Sequence, residues 1–369
     1  MSGKENRNRK REDAAKYICT RTCALVAVAT IGTSSHFRYH CIVLFLLFEL
    51  GRRYKMWKYC TDEEALRTFH LTDGLGCDEG KEIQTLFAVS NHIEEHYHVQ
   101  YIPKKKGGKR KLLIPDALLG RIQKNILRNV LEERKVSSYA KAYVKGMGIV
   151  ENARPHSYAD TILKLDIEDF FEQITYIMVY QKVFPEKYVP SAIRTMLTHF
   201  CCYHDYLPQG ASTSPMISNL VMYSFDEYMG KWCEERKICY TRYSDDLTFS
   251  GDFDVKEVKN KVRSFLEKMG FSLNEKKTKV LKPYQRQTVT GIVVNEKTNV
   301  SREYKRKLRQ EIYYCEKYGV TEHLWRKGIC DKGETTYLKE LLGKINYVLQ
   351  INPEQPYFQE ARKKIKEML

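Results

Sequence analysis

Three carboxylates carry the chemistry this sequence can offer. Asp245 and Asp246 stand side by side in YTRYSDDLTFSG (residues 240–251), and Asp166 ends the run TILKLD far upstream. An aspartate pair at a turn, taken alone, is ordinarily solvated, because Asp is a common turn residue. Next to a third carboxylate the pair changes character. Carboxylates held close repel and raise one another's pKa unless a cation lies between them. Hard divalent cations prefer such oxygens, and Mg²⁺ binds through one or two carboxylates with water and substrate phosphates completing its shell. Two such ions about 3.5–4 Å apart stabilise the attacking and leaving oxygens of an in-line phosphoryl displacement.

The elements that must hold these residues are readable from periodicity. In TILKLDIEDFFEQI a strand runs into a helical turn. Leu163, Leu165 and Ile167 alternate onto one face, with Ile162, Lys164 and Asp166 on the other. KICYTRYSDDLTFSG reads as a hairpin, and across its tight turn the alternation breaks, which presents Asp245 at the tip. If the Asp166 strand lies beside this hairpin, the carboxylates meet at one edge of a sheet. HVQYIPKKKGGKRKLLIP reads as two strands joined by a basic, glycine-containing turn, after which Asp116 caps a helix. SPMISNLVMYSFDEYMGKW is a helix with Pro215 in its first turn and Ile217, Val221, Phe225 and Trp232 as its buried stripe. VKEVKNKVRSFLEKMG is an amphipathic helix ended by Gly270, RQTVTGIVVN is another strand, and the chain from Ser301 onward is helical and basic. Helices on an antiparallel sheet define an α+β fold.

Charge then points to a partner. With 62 Lys plus Arg against 46 Asp plus Glu, the formal net charge of +16 favours a polyanion, nucleic acid ahead of anionic membrane. The eleven cysteines show no CxxC spacing and read as reduced thiols in a cytosolic protein without a zinc site. At the N-terminus, the polar MSGKENRNRKRED precedes two short apolar runs, CALVAVATIG and CIVLFLLFEL. That order resembles a signal peptide, but His36, Arg38 and His40 interrupt it, and neither run reaches the roughly 18–20 residues of a membrane span. Residues 1–55 are therefore an extension of open role, either an accessory helix or strand or a lead into a domain that begins near Met56.

The motifs RYSDDLTFSG, LKLDIEDFF and LPQGASTSPMISNL occur in the order and spacing of reverse transcriptase palm domains. The basic IPKKKGGKRKLLIP and the LNEKKTKVL that follows the hairpin extend the resemblance to roughly residues 95–350. Two further features, the NAxxH pattern of Asn152, Ala153 and His156 and the triplet Val289, Thr290 and Gly291, make the chain resemble a bacterial retron reverse transcriptase. The resemblance implies a right-hand polymerase: fingers over 56–150, palm over 151–298 with part of the fingers around 175–207, and a helical thumb over 299–369.

It also implies roles. Asp166, with the Ile167 carbonyl, and Asp245 resemble the palm's metal ligands, and Asp246 an outer carboxylate that tunes them. Two Mg²⁺ ions are implied, with Mn²⁺ as a substitute. Ser244 stands where Ala or Met is commoner, and is small enough to sit beside the primer end. Phe171 resembles the steric gate that rejects a 2′-hydroxyl, with a core aromatic as the rival reading because Phe170 adjoins it. Arg110 and Lys109, with Lys104 or Lys105, resemble the grip on the incoming triphosphate. Gln209 and Gly210 resemble the nucleotide and template pocket, and Lys277 a proton donor to pyrophosphate. Asn152 and His156 are structural or contact RNA; Val289, Thr290 and Gly291 support the primer-end strand or contact RNA. Arg302, Lys305, Arg306 and Arg309 face a nucleic-acid backbone, and Tyr313, Tyr314 and Tyr318 stack on bases or simply pack.

The implied activity is copying of a cognate structured non-coding RNA, with dNTPs, into branched satellite DNA (msDNA) primed from an internal guanosine 2′-hydroxyl, in antiphage defence. A separate effector chain, host RNase H, a bacterial cytoplasmic location and no membrane partner go with it. Group II intron-like and diversity-generating reverse transcriptases are the nearest alternatives. A non-catalytic RNA-binding scaffold that restrains a toxin is the alternative outside the class.

Overall fold

The computed structural model describes residues 61–76, 80–104, 107–186, 188–329 and 333–369; the expectations for residues 1–55 and for Lys105 lie outside them. The main helices are α1 (Asp62–Thr68), α2 (Glu82–Asn91), α3 (Ala117–Ile126), α4 (Ile149–Ala153), α5 (Ser191–Cys201), α6 (Ser214–Glu234), α7 (Val255–Lys268), α8 (Arg302–Tyr318), α9 (Val320–Arg326), α10 (Glu334–Ile351) and α11 (Pro356–Glu367). The strands are β1 (Tyr97–Pro103), β2 (Lys109–Pro115), β3 (Thr161–Asp166), β4 (Cys239–Tyr243), β5 (Asp246–Gly251), β6 (Lys279–Leu281), β7 (Thr288–Val289) and β8 (Ile292–Val293). The chain divides into two compact units. The described part of the smaller holds residues 61–65, 186 and 188–193; every contact discussed below lies within the larger, 66–185 and 194–369.

The centre is a four-stranded antiparallel sheet in the order β4-β5-β3-β6. Its strands β3, β4 and β5 are buried, with Ile162, Leu163, Leu165, Tyr240, Leu247 and Phe249 all enclosed, while the edge strand β6 is largely exposed. The helix α6 packs on it through Phe225, whose ring meets Tyr240 of β4 and Phe265 of α7 at 6.4 and 5.3 Å. The α6 stripe departs from the expected one. After Phe225 it continues through buried Met229 and Cys233, the next positions four residues apart, and Trp232 is only half-buried beneath Arg236.

Asp116 caps α3 as expected, accepting from the Leu119 amide at 2.8 Å, and His96 closes on its other oxygen at 2.7 Å. The basic β1–β2 hairpin is docked through Tyr97, whose hydroxyl accepts from Gln123 at 2.7 Å, and through its backbone, the Leu113 amide donating to the Gln209 carbonyl at 2.8 Å. Gly210 makes that approach feasible. Its φ is +129°, and a Cβ there would stand 2.5 Å from the Leu113 carbonyl oxygen.

RQTVTGIVVN is not the single strand its composition suggests. It folds into the hairpin β7–β8, turned by Thr290 and Gly291 at φ +47° and +85°. Two consecutive left-handed residues reverse the chain in two residues and outweigh the β-propensity of the flanking valines. Val289 and Ile292 share a core with Val150 and Ala153 of α4 and with Leu308, Ile312, Leu341, Ile345 and Phe358 of the C-terminal helices. Among the described residues no helix is long and apolar enough to cross a membrane.

Candidate active site

The β3–β5 ladder decides where the carboxylates go. Asp166 pairs directly with Asp246, and the next amide, Ile167, donates to the Asp245 carbonyl at 3.0 Å. Opposite residues on an antiparallel pair share a face, so the register alone sets Asp246 beside Asp166. Asp245 joins them only because the β4–β5 turn breaks the alternation, with Ser244 at φ +61°. The backbone of Asp166 also accepts from the Asn274 amide at 2.8 Å, which brings in the turn Glu275–Lys277. Glu275 is tied to α7 by Lys259 and Arg263 at 2.5 and 2.6 Å, and Lys277 reaches the Asp166 Oδ1 at 2.7 Å.

The electrostatics describe a site short of positive charge. Burial, then the charges of Asp246 and Asp166, push the Asp245 carboxyl up to about 6. Burial also raises Asp246; Lys164 opposes it and Asp166 adds to it. The hydrogen bond to Asp166 raises Lys277 in turn. Among the described residues no group of three or more His, Cys, Asp or Glu is gathered as a cage for an ion. A cation completed by substrate phosphates needs only one or two carboxylates. The mutual repulsion here is what such a cation would relieve, so the residues fit it.

Beneath the turn lies a network that motif reading missed. The guanidinium of Arg242 is wholly buried and pairs with Asp226 of α6 at 2.6 Å. It donates further to the Asn219 Oδ1 at 3.0 Å and to the Ser244 carbonyl at 3.1 Å. Tyr240 donates its hydroxyl to Asp226 at 2.8 Å. A buried guanidinium requires a carboxylate partner, and the only sequence signal was an arginine inside an otherwise apolar strand.

The other expected residues divide. Phe170 enters the core against Phe271 at 6.0 Å, which leaves Phe171 the half-exposed ring of the pair. Gln209 donates to Glu172, the residue after Phe171, at 3.0 Å. Lys109 and Arg110 stand exposed near the turn end of β2. Arg302, Arg306 and Arg309 are exposed on α8; Arg309 lies 5.3 Å from the Tyr357 ring, and Lys305 donates to Asn299 at 3.1 Å. Tyr313 and Tyr318 are exposed and Tyr314 is half-buried. None of these cations is drawn to the carboxylates by a described hydrogen bond or ion pair.

The NAxxH and VTG segments meet each other instead. Thr290 donates to the Ile149 carbonyl at 3.1 Å, and the buried amide of Asn152 has no hydrogen-bond partner at either polar atom. His156 is fully buried between the Ser250 hydroxyl (2.6 Å) and the Thr241 hydroxyl (2.8 Å), bridging β5 and β4 behind the turn. Burial pushes its imidazole down to about 3. The folded state thus resists the proton that the unfolded chain takes up below its own pKa, and stability falls as pH drops through that range. Between about pH 7.5 and 5.5 the wild type should lose about 1.4 kcal/mol that His156→Gln does not. Urea midpoints of both proteins at the two pH values check this, and parallel losses would refute it.

Comparison with known proteins follows the same lines. The family model "Reverse transcriptase (RNA-dependent DNA polymerase)" matches residues 102–305. The retron Ec86 reverse transcriptase of Escherichia coli is 34% identical over 249 residues, 66% of this chain and 78% of that protein. The retron Ec83 reverse transcriptase, also of Escherichia coli, is 33% identical over 235 residues, 59% and 75% of the two chains. Among solved structures, Candida albicans telomerase with a fragment of telomeric RNA aligns at a TM-score of 0.42 and 11% identity, over 77% of this chain and 67% of that one. The family model spans more than half of the chain, and its curated relatives carry the same assignment. The chain belongs to the bacterial retron reverse transcriptases, RNA-directed DNA polymerases of the right-hand fold.

Proposed function

We propose that this reverse transcriptase copies part of a cognate structured non-coding RNA into branched msDNA, starting from the 2′-hydroxyl of an internal guanosine. The observation that carries the reading is the convergence of Asp166, Asp245, Asp246 and Lys277 at one end of the inner strands β3 and β5 in a chain whose relatives are retron reverse transcriptases. Reverse transcriptases depend on divalent metal. In this reading Asp166 and Asp245 hold two Mg²⁺ ions, for which Mn²⁺ substitutes, the Ile167 carbonyl adds an oxygen, and Asp246 tunes the pair. When bound, the ions favour ionisation of the attacking hydroxyl and offset charge on the leaving pyrophosphate.

The chain's own groups do the rest. Lys277, poised on Asp166, is the proton source for the leaving group. Arg110 and Lys109 grip the triphosphate of the dNTP, Phe171 excludes a ribose 2′-hydroxyl, and Gln209 and Gly210 line the pocket. Arg302, Lys305, Arg306 and Arg309 hold the nucleic-acid backbone, while Asn152, His156, Val289, Thr290 and Gly291 brace the palm. The fingers, palm and thumb take residues 56–150, 151–298 and 299–369. The physiological setting we propose is antiphage defence in the cytoplasm, with a separate effector chain and with host RNase H removing copied template.

Sequencing the nucleic acid that co-purifies with the full chain tests the reading. A short DNA joined to RNA at an internal guanosine 2′ position is expected. DNA carrying a free 5′ end, or RNA alone, would overturn it.

A further inference from the structure

Immediately before Tyr143, residues 137–142 form a strap along the β4 edge of the central sheet. Arg242 donates its amide to the Tyr139 carbonyl at 2.9 Å, and Lys141 returns a bond to the Arg242 carbonyl at 2.8 Å. Ala140 bridges Arg242 in parallel register. Three side chains of α6 fix the strap from below. Glu227 accepts from Ser137 at 2.7 Å, Glu234 accepts from the Tyr139 hydroxyl at 2.5 Å, and Asn219 donates to the Ala142 carbonyl at 2.9 Å. The Tyr139 ring fills the space where a Cβ on Gly230 would stand.

At the end of this rigid strap Tyr143 adopts φ +61°, a conformation bulky side chains rarely take. Its hydroxyl lies 3.2 Å from the Ser244 Oγ, and Ser244 is itself left-handed at φ +61°. Two strained non-glycine residues therefore touch each other one residue from Asp245. The fold gains little from the Tyr143 ring in return, since the residue is 48% exposed. Glycine or asparagine would make the same turn with less strain. Strain held at a site by an over-determined surround is characteristic of functional positions.

We infer that Tyr143 is a substrate-contacting residue: its ring packs against the nucleotide that supplies the attacking hydroxyl and seats that hydroxyl beside Asp245. The inference rests on reading Asp166 and Asp245 as the metal-binding carboxylates. The attacking oxygen must then lie at the β4–β5 turn, and Ser244 and Tyr143 together form the wall of that turn. An aromatic face there suits a nucleotide of any base, because every base offers a π-face for stacking.

Primer extension by the full chain on an RNA template annealed to a DNA primer tests this, with primer–template and dNTP varied separately. Tyr143→Gly and Tyr143→Asn should raise KM for primer–template about tenfold and leave KM for dNTP within about twofold, the range expected for one lost stacking contact. Their melting temperatures should equal or exceed that of the wild type, because the strain is relieved. Tyr143→Phe, which keeps the ring, should stay near wild type in primer KM. An unchanged primer KM, an equal rise in both KM values, or a fall in melting temperature that parallels activity would each overturn the assignment. Asp245→Asn is the control: if it extends primers as well as the wild type, or the wild type extends none, the carboxylate reading fails and the inference with it.

Discussion

Asp245→Asn will leave less than about one hundredth of the wild-type rate of nucleotide incorporation, since even indirect supports of a metal ligand are worth tenfold to a hundredfold. The same change will make the metal-free protein more stable. Asp245 is held up to about 6 by burial and by the charges of Asp246 and Asp166. A carboxyl whose folded pKa lies above its unfolded value destabilises the fold progressively as pH rises through that interval, and the full penalty is present at neutrality. Removing the charge should therefore add about 3 kcal/mol at pH 7, an effect that fades on acidification toward pH 4. Thermal melts in chelator at several pH values measure the gain. A neutral or lower melting temperature for Asp245→Asn would show that the carboxylates are not in conflict. Asp246→Asn should share the stabilisation, because burial raises its carboxyl too.

Asp226→Ala should destabilise the chain by about 3–5 kcal/mol, because it strands the Arg242 guanidinium in the core without its carboxylate. The double change Asp226→Leu with Arg242→Met should recover most of that loss, since a buried ion pair is often replaceable by apolar residues of similar volume. Activity should not return with stability. Arg242 is the donor that holds the Ser244 carbonyl, and without it the left-handed turn that presents Asp245 loses its anchor. Urea unfolding separates the first effect, and single-turnover incorporation by the folded double variant separates the second. Full activity in the double variant would mean that the turn keeps its shape without Arg242.

The legible parts of this protein are the local ones. Asp116 announces the start of α3 and Gly270 the end of α7, because capping is settled within a few residues. The alternation in TILKLD yields β3, and the motifs around Asp166 and Asp245 point to a shared site. Elsewhere local signals mislead. The valines flanking Thr290 and Gly291 suggest continuous strand, yet the two-residue left-handed turn and a core shared with the C-terminal helices fold them back. Trp232 lies seven residues after Phe225 and so reads as part of the buried stripe, yet that stripe passes through Met229 and Cys233.

By itself the sequence determined the α+β class, the family and the three carboxylates, because these depend on residue type, order and short-range periodicity. Only the tertiary structure decided that Asp246, and not Asp245, is the ladder partner of Asp166. It alone brought Lys277 onto Asp166, set Asp226 under Arg242, placed His156 between two strands and carried Tyr143 to Ser244. Each of those contacts joins segments distant along the chain. Strand register and helix packing set such contacts, and no local propensity encodes either.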